Sequence, residues 1–280
     1  MTAGTMSVET LARDHDGFIV DLWGVVHDGV RPYPGVPACL RHLREAGKRV
    51  VFLSNAPRRT APVAAALAAM DIGPELYDGI MTSGEAVRAA LVSRTEPDFA
   101  ALGDRLFHLG PPRDRNLFDD LGLAEADRPG AADFLLNTGP DDLAPPDDPA
   151  AFDPLLREAL GAGLPMVCAN PDLEVIRDGR RIICAGTLAQ RYAAWGGRVI
   201  WRGKPDPAVY RPTLDLLGTE PGRTIAFGDS LRTDIAGAKA AGIASVLVLS
   251  GIHVATPAEA RADCAAAGLD PRAIIGGFRW

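Results

Sequence analysis

Two acidic segments lie far apart in the chain, Asp21-Leu22-Trp23-Gly24 and Gly228-Asp229-Ser230-Leu231-Arg232-Thr233-Asp234. Each directly follows a short apolar run, Phe18-Ile19-Val20 in the first case and Thr224-Ile225-Ala226-Phe227 in the second. Apolar runs of this length bounded by polar residues read as buried strands. In an open α/β sheet, ligands bind beyond the carboxyl ends of the strands, so both sets of carboxylates are expected to face one crevice. Converging carboxylates repel one another unless a cation lies between them, and hard oxygen ligands suit Mg²⁺. Two further runs end in complementary chemistry: Val50-Val51-Phe52-Leu53 leads into Ser54-Asn55, and Val199-Ile200-Trp201 into Gly203-Lys204-Pro205. A carboxylate nucleophile, a hydroxyl and amide donor, a lysine and a metal-binding acid are the parts needed for phosphoryl transfer through an aspartyl-phosphate. The charge developing on the transferring phosphoryl needs cationic partners, which Mg²⁺ and Lys204 would supply. A single Asp after a strand is more often an N-cap or turn residue; the reading rests on four strand ends together.

The elements that must carry these residues alternate. A helix is expected over about 37–46, with Pro37 in its first turn and Gly47 at its C-cap. Residues 62–70 read as a further helix, and Gly79-Ile80-Met81 as a strand ending at Thr82-Ser83. Strands alternating with helices imply βαβ units and a parallel sheet. From Glu96 to about Pro149 the chain becomes rich in Pro, Asp and Gly, with candidate strands at 106–109, 134–137 and, after it, 166–169. A helix at about 154–160 precedes the last of these. Residues 175–183 read as a hairpin, because Asp178-Gly179 between apolar runs favours a type I′ turn. The middle of the chain thus reads as a second α/β domain inserted into the first. A helix over 187–195 would lead back into the core, where Val199–Trp201, Thr224–Phe227 and Ser245–Leu249 supply further strands.

With 280 residues, 47% of them hydrophobic and 23% charged, the composition is that of a soluble globular protein with ample core. The net charge of −7 argues against a nucleic-acid surface, which must neutralise phosphates. The longest uncharged apolar stretches, 63–70 and 243–249, are too short to span a bilayer. The first residues show neither a basic segment nor an apolar one of the secretory kind, so a cytoplasmic location is the default expectation. Cys39, Cys168, Cys184 and Cys264 form no Cys-x-x-Cys motif; they read as reduced, buried thiols and not as a zinc site.

The order of the Asp21 segment, Leu53-Ser54-Asn55, Gly203-Lys204-Pro205-Asp206-Pro207 and Gly228-Asp229 through Thr233-Asp234 resembles the haloacid dehalogenase-like hydrolase superfamily. Tyr33-Pro34-Gly35-Val36, Thr82-Ser83-Gly84-Glu85, Asn170-Pro171-Asp172 and Gly186-Thr187 are similar to its class IIA branch of sugar-phosphate, nucleotide-phosphate and 4-nitrophenyl phosphatases. The resemblance implies an α/β fold: a Rossmann-like parallel-sheet core over residues 1–84 and 186–280, and an inserted C2-type α/β cap domain over 85–185. It implies a Mg²⁺-dependent hydrolase of a small phosphorylated metabolite, with a homodimer formed through the cap. Carried over residue by residue, Asp21 resembles the nucleophile and a Mg²⁺ ligand. The Trp23 backbone carbonyl and Asp229 would be further ligands, with Asp234 supporting the metal through water. Ser54 and Asn55 match the phosphate-holding motif, Lys204 the motif-three base, and Asn170 and Asp172 lie where a substrate contact is implied.

The family's first motif usually carries a second Asp two residues after the nucleophile, which protonates the leaving oxygen and then activates water. Here that position is Trp23, whose indole N–H is no general acid or base. His27, Asp28 or a cap carboxylate are the candidate substitutes, although the commoner reading of His27 and Asp28 is a loop turn before Gly29. Dehalogenases carry an aromatic at this position but use no metal, whereas Asp229 and Asp234 suit one. Carbon–phosphorus cleavage would require a cap lysine, and none occurs between Glu85 and Arg202. The alternative to a phosphohydrolase is a catalytically weak phospholigand-binding or regulatory protein of the same fold.

Overall fold

Valine, isoleucine, leucine and phenylalanine cluster in runs too short for helices, and these runs form the strands. The computed structural model describes residues 6–140, 147–177, 180–251 and 256–280. Its strands are β1 (Gly17–Val20), β2 (Arg49–Ser54), β3 (Gly79–Thr82), β4 (Arg105–Leu109), β5 (Ala124–Glu125), β6 (Phe134–Asn137), β7 (Met166–Cys168), β8 (Glu174–Arg177), β9 (Arg180–Ile183), β10 (Val199–Trp201), β11 (Thr224–Gly228), β12 (Ala244–Val248) and β13 (Ala273–Ile275). Packing divides the chain into two units. One comprises the residues up to Ser54, Thr60–Met81 and Lys204–Trp280; the other comprises Asn55–Arg59 and Thr82–Gly203.

The first unit holds a six-stranded sheet in the order β13-β12-β11-β1-β2-β3. β1 pairs in parallel with both β2 and β11, and β12 in parallel with β11 and β13. Every residue of β1 and β11 is buried, as in a central parallel strand covered on both faces. From β1 the chain moves outward through β2 to β3, then returns to β11 on the opposite flank of β1. The strand order therefore reverses between β1 and β11, and a ligand crevice opens at such a switch point, beyond the carboxyl ends.

The second unit is built on an all-parallel sheet ordered β10-β7-β6-β4-β5, with an antiparallel β8–β9 hairpin beside it in sequence. The hairpin's expected Asp178-Gly179 turn lies outside the described residues. The chain thus has the expected architecture, a Rossmann-like parallel core with an inserted α/β unit. One strand is reassigned. Val199–Trp201, expected in the core sheet, pairs with Met166–Cys168 of the second sheet. Its alternating side chains explain this: Ile200 joins the cluster of Phe99, Leu136 and Val167, while Val199 and Trp201 pack against the cluster of Met166, Leu188 and Tyr192 on the other face. The return to the first unit accordingly comes at Lys204, and not at the expected residue 186. Among the described residues no helix is long and apolar enough to cross a membrane.

Candidate active site

Asp21 is the first residue beyond β1, and its N–H donates to the Phe227 carbonyl of β11 at 2.9 Å. That bond continues the β1–β11 ladder by one step and brings the two acidic segments to the same end of the sheet. Asp229 is the first residue beyond β11. Asp234 returns to the same place because Leu231–Ile235 forms a wide π-type turn, capped by Ser230 accepting from the Thr233 N–H. The Asp234 side chain then accepts from the Ser230 N–H at 3.2 Å. Gly228 is required for this fold-back, since a Cβ there would lie 2.1 Å from the Asp234 Cβ.

The three carboxylates offer oxygens that all lie within 4.8 Å of one another, and all three residues are buried. Asp229 is seated by two glycines. Gly24 holds φ +89°, and a Cβ there would meet the Asp229 carboxylate; a Cβ on Gly251 would come 2.6 Å from the Gly24 Cα. Lys204, 3% exposed, donates from Nζ to Asp21 Oδ1 at 2.5 Å and to Asp234 Oδ1 at 2.7 Å. Burial pushes the Asp21 carboxyl well above the usual range; Lys204 opposes that shift, and the charges of Asp234 and Asp229 add to it. Three buried acids against one lysine leave an excess of negative charge on hard oxygen donors. That donor set fits a divalent cation.

Ser54 ends β2, level with Asp21 to within one residue by the β1–β2 register. Asn55 begins the segment that packs with the second unit, and its amide donates to Asp172 Oδ1 at 2.8 Å. The sequence placed Asn55 and Asp172 in separate motifs; their 117-residue separation left no local signal for the pairing. Gly203, with φ +122°, makes room for it, because a Cβ there would lie 2.7 Å from both Asn55 Oδ1 and the Pro171 ring. Asn170 turns its Oδ1 inward to accept the Asp172 N–H at 3.0 Å, so its side chain shapes this loop. Thr82 caps the helix Ser83–Ser93 by accepting from the Glu85 N–H and donating to the Arg58 carbonyl. Gly84 permits that approach, since its Cβ would meet the Arg58 backbone at 2.5 Å.

Trp23 is half-buried, with its ring against Gly29 and edge-on to His27 at 5.7 Å between centroids. His27 is buried; its Nδ1 accepts the Gly29 N–H at 3.0 Å, and burial draws its pKa down to about 4. The ring is therefore neutral at neutral pH. Asp28 is exposed, and its Oδ1 accepts the N–H groups of Val30 and Arg31 at 2.9 and 2.7 Å, which lower its pKa. Both residues thus make the turn around Gly29.

A sequence model described as haloacid dehalogenase-like hydrolase matches residues 18–124, and a second, HAD-hydrolase-like model matches residues 201–271. Chronophin of Bos taurus is 31% identical over 87% of this chain and 84% of its own length. A haloacid dehalogenase-like hydrolase of Brucella suis superposes with a TM-score of 0.83 at 27% identity, covering 97% of this chain and 98% of its own. The glycerol phosphate phosphatase of Mycobacterium tuberculosis, solved in complex with calcium, superposes with a TM-score of 0.65 at 26% identity over 86% of this chain and 68% of its own. With its fold, its acidic switch-point crevice and these relatives, the chain belongs to the haloacid dehalogenase-like hydrolases, as a class IIA phosphatase.

Proposed function

We propose that this phosphatase hydrolyses a small phosphorylated metabolite, a phosphomonoester, through an aspartyl-phosphate on Asp21 with Mg²⁺ as its metal. The observation that carries the reading is the convergence of Asp21, Asp229 and Asp234 within 4.8 Å, with Lys204 bonded to two of them. Asp21, Asp229 and the Trp23 carbonyl would hold the ion, with Asp234 supporting it through water. Bound there, Mg²⁺ supplies charge neutralisation for the phosphoryl group and its nucleophile. Lys204 favours the anionic form of Asp21 against its burial and orients the carboxylate, as a carboxylate nucleophile requires. Ser54 offers a hydroxyl for the phosphoryl oxygens, and the resemblance gives Asn55, next in the same motif, the role of an amide donor. The four cysteines, all buried and unpaired, support a cytoplasmic protein. The resemblance supports a homodimer through the inserted unit, which light scattering tests.

Turnover of 4-nitrophenyl phosphate with and without Mg²⁺ tests the reading. Metal-dependent release of 4-nitrophenolate that is abolished in Asp21→Asn supports it. Trp23 favours a second reading, a binding or regulatory protein that retains phosphate esters without cleaving them. No turnover together with measurable binding of a phosphate ester supports that second reading.

A further inference from the structure

We infer, on the basis of the nucleophilic role proposed for Asp21, that this site is built for phosphoryl donors whose leaving oxygen departs as a stable anion. Acyl, enol and aryl phosphates fit that description; alkyl phosphates do not. Cleaving an alkyl ester expels an alkoxide, which needs a proton as the bond to phosphorus breaks. The groups around the Asp21 loop are each committed elsewhere. Trp23 has only an indole N–H. His27 uses its Nδ1 to accept from the Gly29 N–H, and Asp28 is an exposed side chain that accepts from Val30 and Arg31. Asp229 and Asp234 belong to the acidic cluster, and Lys204 is bonded to Asp21 and Asp234. Tyr33 is half-buried, and a phenol is a weak acid, with an ordinary pKa of about 10. A donor that weak transfers little of its proton to a leaving oxygen in the transition state. Among the described residues of this loop and the strand ends beside it, none is a poised acid.

The chemistry balances without one. A carboxylate oxygen of Asp21 bonds to phosphorus, the bond from phosphorus to the leaving oxygen breaks, and its electron pair leaves as carboxylate, enolate or phenolate. Water then bonds to phosphorus, the bond to the Asp21 oxygen breaks, the carboxylate is regenerated, and both of the water's protons leave on the product as dihydrogen phosphate. The same shortage of a proton carrier slows this second step, so the aspartyl-phosphate accumulates. The leaving group is consequently released in a burst, and leaving-group dependence shows in kcat/KM more than in kcat.

The test uses the full chain with Mg²⁺ and compares acetyl phosphate, 4-nitrophenyl phosphate, phenyl phosphate and glycerol 3-phosphate, with a rapid-mixing trace for 4-nitrophenolate. An acid supplies on the order of 10²–10⁴-fold, so glycerol 3-phosphate is expected to trail 4-nitrophenyl phosphate in kcat/KM by at least that range. A burst of about one equivalent per site is expected alongside. Trp23→Asp, where it folds, restores an acid and is expected to raise the alkyl rate far more than the aryl rate. Glycerol 3-phosphate turning over within about tenfold of 4-nitrophenyl phosphate overturns the inference, because it reveals a working acid. No turnover of any donor, with Asp21→Asn indistinguishable from the unmodified chain, overturns the phosphohydrolase reading itself, and the inference with it.

Discussion

Lys204 and Asp21 stand 183 residues apart in the chain and 2.5 Å apart in the fold, both nearly excluded from solvent. Removing one partner of a buried charged pair leaves an uncompensated charge, at a cost of about 3–5 kcal/mol. Lys204→Met is therefore expected to lose about that much stability in chelator-treated buffer. Adding Mg²⁺ should recover part of the loss, because a cation supplies the missing counter-charge. Chemical denaturation with and without Mg²⁺ checks both halves; a variant as stable as the parent in chelator contradicts the pair's energetic role.

Asp229 has its own signature, one that needs no turnover. Ligand binding to the folded state stabilises by about 2.7 kcal/mol at a hundred times the dissociation constant. Mg²⁺ should raise the melting temperature of the unmodified protein, and Asp229→Asn should abolish most of that rise. Because the substitution removes a repelling charge from the cluster, the variant is expected to melt no lower than the parent in chelator. An unchanged Mg²⁺ response would remove Asp229 from the metal site.

Gly24 and Gly122 both have positive φ, at 89° and 71°, but only Gly24 faces a crowded wall. Gly122→Ala pays only for left-handed backbone, about 1–2 kcal/mol. Gly24→Ala adds a clash with the Asp229 carboxylate, so it should destabilise more and also weaken the Mg²⁺ response. Thermal melts of the two variants side by side decide this; equal losses would mean that the Asp229 seat tolerates a methyl group.

Burial draws both His27 and His108 down from 6.5 to about 4. Between those values the unfolded chain binds more protons than the folded one, so stability rises with pH across that window and is lost on acidification from about 6.5 to 4. Each ring contributes on the order of 3 kcal/mol at neutral pH. Asp114 works in the opposite sense: burial raises it from 3.8 to about 6, so its contribution is present below 3.8 and lost as pH rises through 6. His27→Asn, which keeps an acceptor for the Gly29 N–H, should flatten the acid limb of a stability–pH profile. Asp114→Asn should steepen it. An unchanged acid limb in His27→Asn would show that the ring titrates normally in the folded state.

Much of this molecule was legible in the order of its residues. Short runs such as Phe18–Val20 and Thr224–Phe227, each ending in an acid, fixed the strands and the end of the sheet at which chemistry belongs, since a strand's apolar pattern and its terminus are local properties. The alternation of strands and helices was enough for a parallel α/β core and an inserted unit. Other features depended on contacts between distant segments. Val199–Trp201 reads as a strand anywhere; only the two hydrophobic clusters that receive its opposite faces assign it to the second sheet. Ala273–Ile275, only partly buried along its length, carries too weak a pattern to announce an edge strand. The Asn55–Asp172 bond, the seating of Asp229 between Gly24 and Gly251, and the division of Lys204 between two carboxylates are likewise tertiary. The sequence listed the acids and the lysine, but which of them meet, and how deeply they are buried, follows from how the strands are ordered around β1.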